Sequence, residues 1–390
     1  MGTEKQHSRR AHALLSASGA SRWMNCTPSA RIEEKLGPDK SSTYAEEGTL
    51  AHEFADVNLS AYIGKLGPGE AAEALEELRA HELYYKGMED EVQVYTDFII
   101  EELTAAQAEG EARLSVEERV DLTEWIEDSF GTNDAIIIAD EVLKVNDLKF
   151  GKGLKVDADN NPQLMLYGLG ALREYELSYE IKTVSLTIVQ PRLSHISTWL
   201  ISAEDLNAWG ENEVKPKAVK AYAGEGVQKA GDWCKWCKAK ARCATLASEA
   251  NKVAKHDFKD PHLLTDDQLL QVRAKFDMLS GWMKAVEEYV FTEALAGKKW
   301  PGLKLVEGKS NRVWKDADKV LESLKGEGYG EDEIEDRKLK GIGKIEKLLG
   351  KKDFNSILGE LVHKPQGKPT LAPAADKRPE FNSAAEDFKN

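Results

Sequence analysis

Two aspartates and one lysine carry the clearest chemical signal in this chain. Asp134 stands at the start of one predicted strand, and Asp147 and Lys149 stand at the end of the next. Side chains two residues apart on a strand project from the same face, so Asp147 and Lys149 enter the same space. A hairpin turn at Asp140–Glu141 brings Asp134 beside them. The sequence therefore predicts two carboxylates and one ammonium group in a single cluster.

This combination suits the hydrolysis of a phosphodiester bond. Carboxylate oxygens bind hard cations such as Mg²⁺ or Mn²⁺, and the backbone carbonyl of Leu148 offers another oxygen ligand. A bound cation polarises a phosphate and makes its own water more acidic. A nearby lysine can orient or deprotonate the attacking water and offset the charge that builds up on the phosphate. We therefore expect Asp134 and Asp147 to bind metal and Lys149 to act on the water.

Helices on either side of these strands supply further candidates. Gln163 and Tyr167 are four residues apart on a predicted helix, so their side chains share one face. Upstream, His52 lies on another predicted helix and offers an imidazole as a metal ligand. Glu53 and Asp56, beside it, are weaker candidates for outer or second-metal ligands.

Four cysteines form a second chemical signal: Cys26, Cys234, Cys237 and Cys243. The last three have the spacing C-x2-C-x5-C, which in a cytosolic chain indicates metal rather than disulfides. Four thiolates can bind structural zinc or an iron–sulfur cluster, although zinc sites more often use two C-x2-C pairs. Either metal would close a loop of about 200 residues and stabilise the fold.

The elements that must position these residues alternate between helical and strand patterns. Strands are predicted over residues 113–122, 135–139, 142–148, 181–189 and 195–201, and helices over 21–36, 45–63, 163–175 and 203–223. The first three strands are expected to be antiparallel neighbours. The sequence therefore predicts an α/β core in which helices flank a sheet.

Bulk composition limits the classes of function. The net charge of −15 argues against a protein that coats nucleic acid by charge alone. A local basic strip could still hold DNA; it comprises Lys235, Lys238, Lys240 and Arg242, with Trp233 and Trp236 between them. Neither a signal peptide nor an apolar run long enough to span a bilayer is visible, so we expect a cytoplasmic protein that does not associate with membranes.

The order of these motifs resembles a known family. G-x-x-x-H, then Asp, then D-x-K, then Q-x-x-x-Y is the order found in RecB-like nucleases of the PD-(D/E)XK superfamily, and the resemblance covers roughly residues 10–245. It implies a restriction-endonuclease-like core with a mixed central β-sheet flanked by helices. The implied roles are metal binding for His52, Asp134 and Asp147, catalysis for Lys149, and support of the site or DNA contact for Gln163 and Tyr167. Asn133 stands where the classical motif has proline.

The cysteine arrangement is similar to that of the AddB-type iron–sulfur nucleases and of CRISPR-adaptation exonucleases. This resemblance implies that Cys26, Cys234, Cys237 and Cys243 hold a [4Fe–4S] cluster, with zinc as the alternative.

Three segments are expected along the chain: a nuclease-like core over residues 1–255, a mainly helical accessory domain over 256–363, and an extended or partly disordered tail over 364–390. A heptad-like apolar seam from Leu269 to Val290 fits either a core-facing helix or a homo-oligomer contact. Leu339–Lys344 is similar to a helix-hairpin-helix that grips a phosphate, or is a plain connector. The chain also resembles phage-associated RecB-like proteins with a similar Lys/Pro-rich tail.

The resemblance implies a metal-dependent DNA exonuclease in phage DNA recombination or replication, within the host cytoplasm. It would act on single strands or duplex ends, together with a single-strand-binding or recombination protein. Two hypotheses of other classes compete: a non-catalytic DNA-binding scaffold of a recombination complex, and a zinc-stapled helical adaptor.

Overall fold

The structure, a computed structural model, describes residues 13–37, 43–254, 266–308, 312–334, 339–363, 365, 369–373 and 379–381. The chain divides into two compact units, Met1–Met283 and Lys284–Asn390. This division falls later than the boundary predicted at residue 255. None of the helices in the described ranges combines the length and the apolar character needed to cross a bilayer.

A five-stranded mixed sheet forms the centre of the first unit. Its strands, which neighbour one another in chain order, are β1 (Ala112–Asp121), β2 (Phe130–Ala139), β3 (Val142–Leu148), β4 (Thr183–Gln190) and β5 (His195–Ser202). The β3–β4 pair is parallel and the other pairs are antiparallel. The predicted α/β class with a mixed central sheet is therefore confirmed.

Helices cover both faces of this sheet. Those of the first unit, including one that continues into the second, are α1 (Ala20–Asn25), α2 (Ser29–Leu36), α3 (Thr43–Tyr62), α4 (Pro68–Arg79), α5 (Met88–Glu109), α6 (Pro162–Tyr175), α7 (Ala203–Trp209), α8 (Lys215–Ala223), α9 (Ala244–Ala254), α10 (Asp266–Arg273) and α11 (Phe276–Leu295). Helix α6 lies in the connection between the parallel strands β3 and β4, where a crossover is required.

The two faces of the sheet bury separate apolar cores. Ile136 of β2 and Val145 of β3 pack with α1 and α6 in one core. Ile137 of β2 packs with α3 and α5 in the other. Adjacent strand residues point to opposite faces, so a run such as 135–138 serves both cores. The sheet therefore separates α3, which carries His52, from α6, which carries the Gln163 motif.

Strand β1 changes face at Glu117. Val116 packs in the core with α3 and α5, whereas Val120 packs in the core with α1 and α6. Residues four apart on a regular strand would share a face. Glu117 has φ of 50°, in the left-handed region that non-glycine residues seldom adopt. This residue turns the strand from one core to the other.

One predicted helix is interrupted, so the continuous pattern over 21–36 was wrong as a single helix. It ends at Asn25 and resumes at Ser29, because Pro28 has no N–H for a helical hydrogen bond. The helix predicted over 203–223 is confirmed as continuous and contains a π-helical turn at Gly210–Val214. A Cβ on Gly210 would lie 2.7 Å from Nε1 of Trp125, so this turn packs too closely for a larger residue.

The predicted seam helix is also divided. Helices α10 and α11 meet at a turn in which the N–H of Lys275 donates to the carbonyl of Val272 at 3.1 Å. Two seam residues, Phe276 and Met283, remain more than half exposed within the chain. The core-facing interpretation therefore fails at those two positions, and the homo-oligomer stays a prediction.

The second unit has its own small core. Its elements are β6 (Leu303–Glu307), β7 (Val313–Trp314), α12 (Ala317–Gly326), α13 (Glu331–Ile334), α14 (Ile342–Leu358), β8 (Val362–His363) and β9 (Pro369–Pro373). Strand β9, from the predicted tail, pairs with β6, so part of that tail is ordered in a sheet. Much of the remaining tail lies outside the described residues. Val320, Ile345 and Phe354 are among the buried residues of this core.

Candidate active site

Asp134 is held by two partners from different elements. It lies within β2 rather than at its start, because the strand begins at Phe130. Its Oδ1 is 3.0 Å from Nδ1 of His52 on α3. Its Oδ2 accepts a hydrogen bond from the backbone N–H of Leu148 at 2.7 Å. The helix and the neighbouring strand therefore fix this carboxylate, while the proposed ligand role of the Leu148 carbonyl stays a prediction.

Asp147 and Lys149 form a close ion pair at the end of β3. The Lys149 Nζ lies 2.8 Å from Oδ2 of Asp147, which is almost fully buried. Gln163 of α6 donates from Nε2 to Oδ1 of Asp147 and to the hydroxyl of Tyr167, each at 3.2 Å. A Cβ on Gly131 would lie 2.8 Å from the Tyr167 ring, so glycine gives this ring its space. These predicted site residues therefore form one hydrogen-bonded group.

Glu117 joins this site, and the sequence analysis missed it. One ligand atom from each of His52, Glu117 and Asp134 lies within 4.8 Å of the others. The β1–β2 pairing matches Val116 with Ala135, which leaves Glu117 opposite Asp134. Two like charges opposite each other on neighbouring strands destabilise a sheet unless something neutralises them. The donor set of one imidazole and two carboxylates fits a divalent cation.

We call His52, Glu117, Asp134, Asp147 and Lys149 the carboxylate–lysine cluster. Burial lowers the pKa of His52, but the negative charges of Asp134 and Asp147 outweigh it and raise that pKa to about 9. Burial also opposes the charge on Lys149, yet Asp147 keeps the pKa of the ammonium above its usual value. In the metal-free protein at neutral pH, both His52 and Lys149 therefore carry positive charge.

The carboxyl groups differ in their proton affinities. Burial opposes ionisation of Asp134, but the neighbouring His52 and Lys149 hold its pKa below the usual value. Burial dominates at Asp147 and raises its pKa. Partial withdrawal from water, with the charge of Asp134, raises the pKa of Glu117 to about 7. A cation would relieve the cost of charging both of these groups.

Arg192 ties the helices around this site together. It follows β4 and its side chain is only 8% exposed. Its guanidinium pairs with Glu47 of α3 at 2.9 Å and with Glu91 of α5 at 3.3 Å. It also lies 4.8 Å from the ring centre of Phe150, just after Lys149. Because Glu47 is on the same helix as His52, this contact helps to orient α3 over the sheet.

Neighbours of the cysteines, rather than the thiols, join the two cysteine-bearing segments. Cys26 is buried at the end of α1. Nearby, Arg22 donates from Nη1 to the carbonyl of Trp236 at 3.3 Å. Glu33 of α2 accepts from Nε of Arg22 and from the backbone N–H of Lys238, both at 2.8 Å. Cys26, at the break in the predicted helix 21–36, therefore lies near the later cysteine segment.

We call Cys26 and residues 234–243 the cysteine region. The four cysteines are free thiols. Burial raises the pKa of Cys234, and the nearby Cys243 and Cys26 raise it further. Burial and the charge of Glu33 raise the pKa of Cys237 to about 12. Within the described residues, the thiols do not form a group as tight as that of His52, Glu117 and Asp134.

The chain matches the family model described as "Protein of unknown function (DUF2800)" over residues 12–379, and it belongs to that family. Among solved structures, a chain titled "Crystal structure of SSO0001" aligns with it at 14% sequence identity and a TM-score of 0.23. That alignment covers 56% of this chain and 95% of the other.

Proposed function

We propose that this member of the DUF2800 family is a metal-dependent DNA nuclease, acting as an exonuclease in phage DNA recombination or replication. The observation that supports this most is the carboxylate–lysine cluster. Residues from α3, β1, β2 and the end of β3 meet there, with Gln163 of α6 bonded to Asp147. Their order along the chain also resembles that of RecB-like nucleases.

His52, Glu117, Asp134 and Asp147 would hold Mg²⁺ or Mn²⁺. When bound, such a cation polarises the scissile phosphate and acidifies a coordinated water. The raised pKa of Lys149 makes it a positively charged donor rather than a base. It would therefore orient the attacking water and offset the charge on the phosphate.

Gln163 acts as a positioning residue. Its amide donates both to Asp147 and to Tyr167, which fixes the carboxylate that in turn holds Lys149. Burial and the charge of Asp147 raise the pKa of Tyr167, so its phenol stays neutral and can donate a hydrogen bond to DNA. Truncating Gln163 would leave a buried carboxylate without that partner.

The four cysteines would hold a [4Fe–4S] cluster. What supports this is the chemistry of four free thiols, together with the hydrogen bonds by which Arg22 and Glu33 join the two segments that carry them. Such a cluster would supply a structural link between the N-terminal segment and the far end of the core. Metal analysis of anaerobically purified protein separates this assignment from zinc: iron and sulfide support it, and zinc without iron overturns it.

The nuclease proposal is tested with end-labelled linear DNA, single and double stranded, in Mg²⁺ or Mn²⁺. Wild type should cut only with metal, and Lys149→Ala should cut at least about 10³-fold more slowly, because the charge that stabilises the transition state is gone. Lys144→Ala is a matched control, since Lys144 lies on the same strand but pairs with Glu102. If wild type and Lys149→Ala bind DNA and neither cuts, the non-catalytic scaffold replaces the nuclease.

A further inference from the structure

The loop at residues 151–154 begins two residues after Lys149, and the fold does not explain its two glycines. Neither Gly151 nor Gly153 has a φ angle in the left-handed region that favours glycine. Within the part of the chain that the structure describes, a Cβ on either would meet nothing within 4 Å. Glycine loses more conformational entropy on folding than any other residue, so it is costly where packing does not need it. Another use of glycine is to let a ligand approach the backbone closely.

Both ends of this loop are anchored. Just before it, the carbonyl of Phe150 accepts a hydrogen bond from Arg192 at 3.4 Å. At its end, the buried side chain of Gln190 donates to the carbonyl of Leu154 at 2.9 Å and accepts from the N–H of Val156 at 2.7 Å. A ligand that binds between fixed ends has little chain to order, which lowers the entropic cost of binding.

The backbone donors of this loop differ from those on either side of it. Before the loop, Lys149 donates its N–H to the carbonyl of Val189 at 2.9 Å, and after it Val156 donates to Gln190. Among the described residues, no acceptor takes the N–H groups of residues 151–154, all of which are exposed. Successive backbone N–H groups that are left open in this way can bind the oxygens of an anion.

Lys152 adds a positive charge to the loop. It is exposed, and no carboxylate among the described residues pairs with it. Lys155, just beyond the loop, pairs instead with Asp157 at 3.4 Å. Three residues of chain span at most about 11 Å, so the backbone of Lys152 lies within that distance of Lys149. Because a DNA strand carries one phosphate per roughly 3.4 Å of rise, a phosphate at this loop is about three nucleotides or fewer from one at the carboxylate–lysine cluster.

We infer that the loop at residues 151–154 binds a phosphate of the DNA strand beside the bond to be cut, through its open N–H groups and the ammonium of Lys152. Phosphates are the same in every sequence, so this contact adds affinity and register without base preference. The inference rests on the proposed function and deepens it, because it separates a residue that holds the substrate, Lys152, from one that acts in the chemistry, Lys149.

The first test is binding of a fluorescent single-stranded oligonucleotide over a range of salt concentrations, without divalent cations, so that cleavage plays no part. Lys152→Ala should weaken binding about 10-fold and lower the slope of log affinity against log salt by about 1, since one phosphate contact is lost. Lys152→Arg keeps the charge and should stay within about 3-fold of wild type. Lys155→Ala is the matched control, because the charge of Lys155 is already paired with Asp157.

The second test replaces a glycine of the loop. The backbone at Gly153 accepts alanine without strain, so Gly153→Ala should melt at the wild-type temperature or slightly above it. The added methyl group should nevertheless keep a phosphate from the N–H groups and weaken DNA binding about 10-fold. A loop that serves only as a connector would give the same melting temperature with no loss of binding, and that result would overturn the inference. So would equal losses for Lys152→Ala and Lys155→Ala.

Cleavage assays with Mg²⁺ or Mn²⁺ keep this inference separate from the nuclease itself. In a protein that cuts, Lys152→Ala should raise KM about 10-fold and leave kcat near the wild-type value, whereas Lys149→Ala lowers kcat. Cutting with unchanged KM and unchanged affinity in Lys152→Ala would overturn the loop inference and leave the nuclease standing. Binding that depends on Lys152 and Gly153 in a protein that never cuts would contradict the nuclease alone.

Discussion

The carboxylate–lysine cluster and the cysteine region reach their geometry in different ways. In the cluster, the functional side chains bond directly to one another, as His52 does to Asp134 and Lys149 to Asp147. In the cysteine region, bonds between neighbours such as Arg22 and Trp236 join the segments. The side chains of the first site therefore hold one another in place, whereas in the cysteine region the segments are joined by residues other than the cysteines.

Charge explains the difference. The cluster contains its own counter-ions, so His52 and Lys149 offset the carboxylates in the metal-free state. In the cysteine region, burial raises the pKa values of Cys234 and Cys237, so these two thiols keep their protons at neutral pH. A thiol must lose its proton to bind metal, and the metal then supplies the link itself. We therefore expect metal to stabilise the cysteine region far more than the cluster.

The largest expected effect is a loss of stability when one cysteine of the cysteine region is replaced. Cys26→Ser should lower the free energy of unfolding of the metal-loaded protein by about 3–5 kcal/mol, as expected for opening a very long closed loop. Denaturant unfolding of wild type and variant, each with its metal content measured, checks this. Thr27→Ser, at the next position, is the matched control.

Removing the metal from the cysteine region should abolish the effect of Cys26 on stability. After removal of iron or zinc, wild type and Cys26→Ser should unfold at nearly the same denaturant concentration, since neither has the link. A large remaining difference would mean that Cys26 acts through packing. The cysteine region would then resemble the carboxylate–lysine cluster, since neither would need metal to hold its residues in place.

A smaller effect is expected at Glu117. Glu117→Gln keeps the size of the side chain but removes a ligand charge, so affinity for Mn²⁺ or Ca²⁺ should fall about 10-fold, or about 1.4 kcal/mol. Titration calorimetry measures this without any DNA. Glu118→Gln is the matched control, because Glu118 accepts hydrogen bonds from Tyr175 instead. Equal affinities for Glu117→Gln and wild type would remove Glu117 from the ligand set.

The smallest effect concerns pH. The pKa of His52 is raised from 6.5 to about 9 in the folded protein, so its pairing with Asp134 stabilises the metal-free state fully below pH 6.5. That contribution is lost as pH rises through 9. The stability difference between wild type and His52→Asn, measured by thermal unfolding without metal, should therefore shrink from pH 6.5 to 9.

Metal binding should show the opposite trend over the same range. A ring nitrogen of His52 must release its proton to bind a cation, so affinity for Mn²⁺ should increase as pH rises from 6.5 to 9. In His52→Asn this increase should be smaller. A wild-type affinity that stays flat over this range would exclude His52 as a ligand.

The sequence alone was enough to identify most of the residues of the cluster. Asp147 and Lys149 had to share a face because side chains two residues apart in a strand point the same way. Gln163 and Tyr167 had to share a face because side chains four residues apart in a helix do so. The strands carrying them and the α/β class could be read from apolar patterning, whereas the mixed sheet was implied only by the resemblance to RecB-like nucleases. The spacing of the four cysteines was enough to mark them as a metal-binding set. Which metal they would bind was inferred from the family resemblance and stays a prediction.

Tertiary structure decided what local patterns cannot encode. Glu117 enters the site because β1 pairs with β2 in a register that sets it opposite Asp134, and because a left-handed residue turns the strand there. Cys26 lies at the break in a helix that apolar spacing alone predicted as continuous, and Arg22 and Glu33 bond the residues around that break to the later cysteine segment. Both are consequences of contacts between residues distant in sequence, whose energies depend on the whole packed core rather than on neighbouring side chains.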